Sequence, residues 1–369
     1  MSQKVKAKVV RNKKKFPWGK VFYYIRSLYN NGVCFEIATT LKWFWSLIVF
    51  VLALLVSVIQ PTVSAAQVKG SQLVTQTTSD PFYYGLNAYL DDVTNDPNLT
   101  ITFEKSTSTL SGTYTEETYP NYVYDGQSIS VTKPFYSYYR NGSHVLDIYV
   151  STSTDTTLTL NNIVNSNPNY GDASDAVRET LKDQKYIRSS SFILFTKDYF
   201  YARLYTGSTA GNSISGNYKY VLEAFPKLTS NSYTLADILG YNISSSALID
   251  QKQQAVINNF SAYLDKIYVE PRNVNTWVTF GIYAGLNGGI MIIMGLIVFI
   301  MTRGKNNPNR SIKFLQCYSI GFWTSISPAI LALIFGFLIP SFGSMLFLLL
   351  YAFRVMFLSM KYLRPAYQN

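Results

Sequence analysis

Three apolar runs crowd the last hundred residues of the chain, and they constrain the fold more than any other feature. Trp277–Met301, Phe314–Ile339 and Phe342–Met360 each have the length that a helix needs to cross a bilayer, about 20 apolar residues. Thr302–Lys313, between the first two, carries Arg303, Lys305, Arg310 and Lys313 and no acid. Only Pro340–Ser341 separates the last two, which predicts a tight antiparallel pair. A soluble fold has nothing to cover so much apolar surface, whereas helices in lipid satisfy their own backbone. A fourth run, Trp43–Ile59, opens on the aromatic belt Trp43-Phe44-Trp45 behind Lys42. The reading is a membrane protein with four transmembrane α-helices, one N-terminal and three C-terminal.

Charge sets the expected orientation. Residues 1–42 hold ten Lys or Arg and one acid, Glu36, while Arg354, Lys361 and Arg364 make the C-terminal end basic. Residues 64–276 hold fifteen basic and twenty acidic side chains. By the positive-inside rule both termini and the 302–313 loop are cytoplasmic and 64–276 lies outside a plasma membrane. The net charge of +11 is therefore juxtamembrane, and it points away from nucleic acid. Both cysteines, Cys34 and Cys317, fall outside 64–276. A disulfide-free exterior domain of this size favours a bacterial surface.

These boundaries divide the chain. Residues 1–42 form a basic cytoplasmic tail with short amphipathic helices, expected to lie flat at the inner interface. The first crossing spans 43–63, with Gln60-Pro61 ending its apolar run. Val63-Ser64-Ala65-Ala66 resembles a signal-peptidase site, but so long a lead favours an uncleaved anchor. The extracytoplasmic domain occupies 64–276, and crossings at 277–301, 314–339 and 342–360 flank the 302–313 loop and a 361–369 tail.

The middle of the chain shifts to Ser, Thr, Tyr and Asn with the alternation of half-buried strands. Strands are expected at 99–103, 122–131, 144–152, 156–160, 191–196, 199–205 and 218–225, with turns at Asp125-Gly126 and Asn141-Gly142. Helices are expected at 175–185, 234–239 and about 247–269. The second of these is opened by a Thr234/Asp237 capping box. This is an α+β domain with an antiparallel sheet. Its many tyrosines either line a face that binds sugars or proteins, or serve as ordinary strand formers.

Catalytic signatures are sparse. His144, the single histidine, opens a strand and reads as a surface residue without a metal partner. No nucleophile elbow, phosphate loop or His-Glu-x-x-His occurs. Asp147 and Asp155 are the one carboxylate pair weighed for Ca²⁺ or acid–base work, and Asp91-Asp92 reads as a solvated pair at a helix end. No cofactor is expected.

The membrane segments carry the candidate site residues. Gly281, Gly285 and Gly289 fall four apart, a stripe that lets two backbones approach closely, whether the neighbour is in this chain or a partner. Asn287, beside the stripe, is placed to bond across a helix interface. Gln316, Ser319, Trp323 and Ser327 form one polar-edged face ahead of Pro328. Arg354 either snorkels or bonds within the bundle, or meets the Gln316/Ser319 face at a headgroup or partner site. A single intramembrane charge argues against a transporter.

The order of parts adds a resemblance: an amphipathic lead from Phe22-Tyr23-Tyr24-Ile25, one anchor, an exterior domain and three crossings. With Ser311-Ile312-Lys313-Phe314, Pro328, Pro340, Val145-Leu146-Asp147-Ile148 and Ile193-Leu194-Phe195-Thr196-Lys197-Asp198, it resembles the bacterial maltodextrin-utilisation membrane protein family of low-GC Gram-positives. The resemblance implies an accessory protein of a sugar-uptake system, with no catalytic residues to carry over. The expected function is a non-enzymatic accessory or sensing protein. It would bind a glycan or protein ligand outside and pack in the lipid bilayer against other membrane subunits or a second copy. A surface enzyme acting on cell-wall or glycan material, or a lipid-handling or transport module, is the alternative.

Overall fold

The computed structural model describes residues 17–74, 81–112, 114, 117–124, 127–155, 159–160, 163, 188–189, 191–204, 212–221, 225, 230–240, 249–305 and 307–363. They fall into two units, one from Met1–Ala66 and Asn275–Asn369, the other Gln67–Val274.

The first unit begins with α1 (Pro17–Arg26), α2 (Asn31–Thr40) and α3 (Trp43–Gln67). Pro17 takes the first helical position, where its missing N–H costs nothing. Asn30 caps α2, its Oδ1 accepting the Gly32 and Val33 N–H groups at 3.0 and 3.2 Å. α3 runs on through Pro61, so the end of the apolar run is not the end of the helix, and Val63–Ala66 lie inside it.

The second unit starts with α4 (Gly70–Leu73) and α5 (Pro81–Asn95). In α5, Phe82, Leu86 and Tyr89 recur at helical spacing and are buried in the core. Strands β1 (Thr102–Glu104), β2 (Thr109–Ser111), β3 (Thr118–Tyr124), β4 (Gln127–Thr132), β5 (Tyr136–Arg140), β6 (Ser143–Val150), β7 (Phe192–Phe195), β8 (Tyr199–Leu204), β9 (Asn212–Asn217) and β10 (Ser232–Thr234) follow. They form sheets of order β10-β1-β2, β3-β4 and β5-β6-β7-β8-β9. The β5–β6 turn uses Asn141 and Gly142 at φ 51° and 77°, the left-handed pair a tight hairpin demands. Helices α6 (Leu235–Gly240) and α7 (Ile249–Ile267) close the unit. Thr234 and Asp237 form the capping box, with Asp237 N–H donating to Thr234 Oγ1 at 3.0 Å and Thr234 N–H to Asp237 Oδ2 at 2.7 Å.

The large sheet is mixed, not purely antiparallel, because β6 and β7 pair in parallel. The cause is readable in Phe192-Ile193-Leu194-Phe195, which is buried on both faces as a central parallel strand must be. Residues 151–191 supply the long crossover that a parallel pair requires. One face of the sheet (Leu146, Ile148, Ile193, Phe195, Phe200) packs with α5 and α7 residues in the main core. The opposite face gathers Tyr149, Phe192, Leu194 and Ile163.

Three strand expectations change, one of them at 156–160, where the described Thr159 and Leu160 are helical. Tyr218–Val221 is a turn and not a strand. Tyr218 is buried, with its hydroxyl in reach of the Thr196 and Tyr199 carbonyls at 2.9 and 2.6 Å, which draws the chain out of the sheet after β9. The strand expected over 99–103 starts only at Thr102, since Pro97–Leu99 forms a 3-10 turn. The expected helix 175–185 and the Asp125-Gly126 turn lie outside the described residues.

The first unit resumes with α8 (Val269–Thr302), α9 (Phe314–Leu338) and α10 (Gly343–Leu358), the last continued by a π turn over Ser359–Leu363. Among the described residues, four helices are long and apolar enough to cross a membrane: Trp43–Gln67, Val269–Thr302, Phe314–Leu338 and Met345–Leu363. α2 packs against the long helices. Cys34, Ile37 and Ala38 are buried in the same cluster as Cys317, Ile320 and Val355, and Phe35 stacks on Tyr362.

Candidate functional site

The second unit holds a cleft of about 630 Å³ beside the ends of β6 and β7. Open α/β sheets bind ligands outside the carboxyl ends of parallel strands, and here Tyr149, Val150, Ser151 and Leu194 line the cleft. Its walls come from Pro97, Asn98, Thr100 and Thr102, from Ser111, Gly112 and Tyr114, and from Thr132–Phe135. Tyr114 is a fixed wall. Its hydroxyl accepts the Thr102 N–H at 3.0 Å and donates to the Thr100 carbonyl at 3.2 Å, while Phe135 meets its ring edge-on at 5.8 Å. Burial raises the Tyr114 pKa, outweighing the two hydrogen bonds at Thr102 that lower it, so the phenol is neutral at physiological pH.

The remaining lining mixes Ser and Thr hydroxyls and the Asn98 amide with apolar Pro97, Pro134, Val150, Ile163 and Leu194, and holds one ion pair. Lys133 Nζ lies 2.5 Å from Glu117 Oε2, both side chains exposed, and the Lys133 N–H donates to the Glu117 carbonyl at 2.8 Å. Glu117 is the single carboxylate among the described lining residues. Such a surface offers aromatic faces and paired donors and acceptors with charges that cancel locally.

Asp147 and His144 are not where the sequence put them. Asp147 is fully buried and His144 is not simply at the surface. His144 Nε2 and Asp147 Oδ1 are 2.6 Å apart, Ser137 Oγ donates to the same oxygen at 2.6 Å, and the Ser189 N–H donates to Oδ2 at 2.7 Å. His144 also stacks on Tyr139 at 4.2 Å. Residues three apart on a strand face opposite sides, but β6 carries a bulge at Val145, between the Tyr138↔Leu146 and Tyr139↔His144 pairs. That extra residue restores both side chains to one face. Both Asp147 oxygens are thus engaged by protein groups. Among the described residues no group of three His, Cys, Asp or Glu could hold a metal. Asp91 and Asp92 are exposed in α5, and Tyr136 Oη donates to Asp92 Oδ2 at 2.8 Å.

In the first unit, a Cβ placed at Gly281, Gly285 or Gly289 would meet nothing within 4 Å. Among the described residues, none packs closely against the stripe. Close approach happens elsewhere. A Cβ at Gly295 would lie 2.7 Å from the Tyr318 ring, and one at Gly321 would lie 3.3 Å from the Gly295 backbone. Gly336 and Gly343 leave room for the Gln60 side chain. These glycines recur at no four-residue spacing, so no stripe announced them.

Asn287 Nδ2 donates to Ser57 Oγ of α3 at 2.9 Å. Gln316 Nε2 donates to the Thr39 carbonyl at 3.0 Å, and Trp323 Nε1 donates to Ser46 Oγ at 3.1 Å. Ser319 is buried beside them and Ser327 is half-buried. This polar edge of α9 therefore faces α2 and α3. Arg354 does not join it. Its Nε donates to Asn31 Oδ1 at 3.1 Å, Nη1 to the Thr324 carbonyl at 3.2 Å, and Nη2 to the Ser27 carbonyl. Sequence reasoning missed these partners, although Pro328 marks one of them. Proline lacks the N–H that would bond the carbonyl four residues earlier, and that carbonyl is Thr324.

Compared with protein-family models, with curated proteins and with solved structures, the chain matches none.

Proposed function

We propose that this chain is a bacterial plasma-membrane accessory or sensing protein that binds a neutral, polyhydroxylated ligand, a glycan chain, in the cleft of its second unit. The termini lie in the cytoplasm and the second unit lies outside. The lining of the cleft carries this reading. Aromatic walls at Tyr114 and Phe135 suit sugar rings, the Ser, Thr and Asn of the lining suit hydroxyls, and Glu117 and Lys133 neutralise each other. Hydrolysis of a glycosidic bond uses two facing carboxylates, whereas the described lining residues include one, Glu117, which favours binding over turnover. Charge supports the orientation, since the basic residues cluster in 1–42 and 302–313. The Gly281/Gly285/Gly289 stripe is left for another membrane subunit, such as one belonging to a sugar-uptake system, or for a second copy.

The test is calorimetric titration of the detergent-purified full chain with a panel of linear α- and β-glucans and cell-wall oligosaccharides. Saturable binding is expected, weakened about tenfold or more by Phe135→Ala, the loss of one aromatic contact. No binding to any oligosaccharide by the folded protein would reject the reading. Labelling of a Thr107→Cys variant by an impermeant thiol reagent on intact cells checks the orientation, since Thr107 is exposed and both native cysteines are buried.

A further inference from the structure

We infer that the first unit holds an anionic phospholipid in a groove between α3 and α9, with an acyl chain in the groove and the phosphate at the two helix starts. The groove is about 220 Å³ and is walled by Trp43 and Leu47 of α3 and by Phe314, Leu315, Tyr318 and Phe322 of α9. Trp43, Leu47, Phe314 and Leu315 are exposed. The Ser46 hydroxyl in its floor is taken by Trp323 Nε1, so the floor offers little to a polar group. The space is far smaller than a helix of about 10–12 Å diameter requires, which suits a flexible hydrocarbon chain better than a protein segment.

Both helices begin at the mouth of this groove, and the residues immediately before them are Lys42 and Lys313, both exposed. Two helix N-termini thus meet at one end of the groove, each directly preceded by an exposed lysine, a combination that favours an anionic group there. Arg303, close by in sequence, is held by the Arg310 and Ile312 carbonyls and lies over Phe299, whose ring meets Phe314 at 4.9 Å. The segments that make up this unit contain a single acid, Glu36. Charge complementarity therefore selects an anionic headgroup over a zwitterionic one. The site is independent of the glycan cleft.

The experiment reconstitutes the full chain in nanodiscs of equimolar phosphatidylglycerol and phosphatidylcholine, then measures the lipids retained on detergent extraction by native mass spectrometry. Phosphatidylglycerol is expected to be enriched about tenfold over phosphatidylcholine. Lys42→Gln with Lys313→Gln should abolish the enrichment, and Lys42→Arg with Lys313→Arg should retain it. Leu315→Trp, which fills the groove, should lower retention of either lipid. Each variant changes exposed side chains, and an unchanged thermal melting curve confirms its fold. Equal retention of the two lipids by the unaltered chain would overturn the proposal, as would enrichment that survives the double Gln variant. Crosslinking of a second copy through Leu47 and Leu315 would also overturn it.

Discussion

Pro328 and Arg354 are a coupled pair that only three dimensions bring together. Pro328 leaves the Thr324 carbonyl without its helical N–H, and Arg354 fills that vacancy while also holding the Ser27 carbonyl and Asn31. Removing the guanidinium leaves the Thr324 and Ser27 carbonyls and the Asn31 side chain without this donor. Arg354→Met should therefore lower stability by about 2–4 kcal/mol, read as a fall in melting temperature in detergent. Arg354→Lys should recover little of the loss, because one ammonium lacks the fork that reaches three acceptors. Tyr263 is the opposite case. Its ring packs on Phe200 at 5.2 Å and is fully buried, yet its hydroxyl has no hydrogen-bond partner among the described residues. Tyr263→Phe should raise stability by about 1 kcal/mol in denaturant titration, since it removes an unsatisfied polar group and keeps the packing.

Helix packing separates two kinds of glycine. Gly295 of α8 abuts Tyr318 and Gly321 of α9, so any side chain there forces the helices apart. Gly285 faces open space. Gly295→Leu should cost about 1–3 kcal/mol by overpacking, whereas Gly285→Leu should leave the melting temperature of the isolated chain unchanged. If the stripe docks a partner, only the Gly285 variant should lose that partner with its own fold intact. Hydropathy showed where the helices are because it is a local property of sequence. Which glycines meet which rings depends on the rotation of each helix about its axis, and no run of residues states that. The bulge at Val145 teaches the same lesson for strands. His144 and Asp147 look like opposite-face residues until one extra residue in β6 turns them together. Residues 192–195 were legible as a strand, but their burial on both faces, against the half-buried alternation expected, came only from the structure.

At the scale of the molecule, the second unit is built on buried tyrosines, and this fixes its response to alkali. Burial holds Tyr233 up to about 12 and raises Tyr218; at Tyr136 burial acts first, followed by the hydrogen bond and charge of Asp92. The unfolded chain ionises these phenols near pH 10 while the folded one keeps their protons. Their contribution is therefore complete below about pH 10 and declines as pH climbs toward 12, by about 1.4 kcal/mol per pH unit for each tyrosine involved. Far-ultraviolet circular dichroism of the full chain should show unfolding in that window, and Tyr233→Phe should shift the midpoint upward. The sequence by itself determined the number and position of the long apolar helices, the segregation of charge and the strand-rich middle. Each of these follows from the side chains of neighbouring residues meeting water or lipid. Only the tertiary structure decided the parallel pairing of β6 with β7, the cleft beside their ends, the burial of α2 and the partners of Arg354. Those depend on contacts between residues far apart in the chain, whose geometry is set by how whole elements pack.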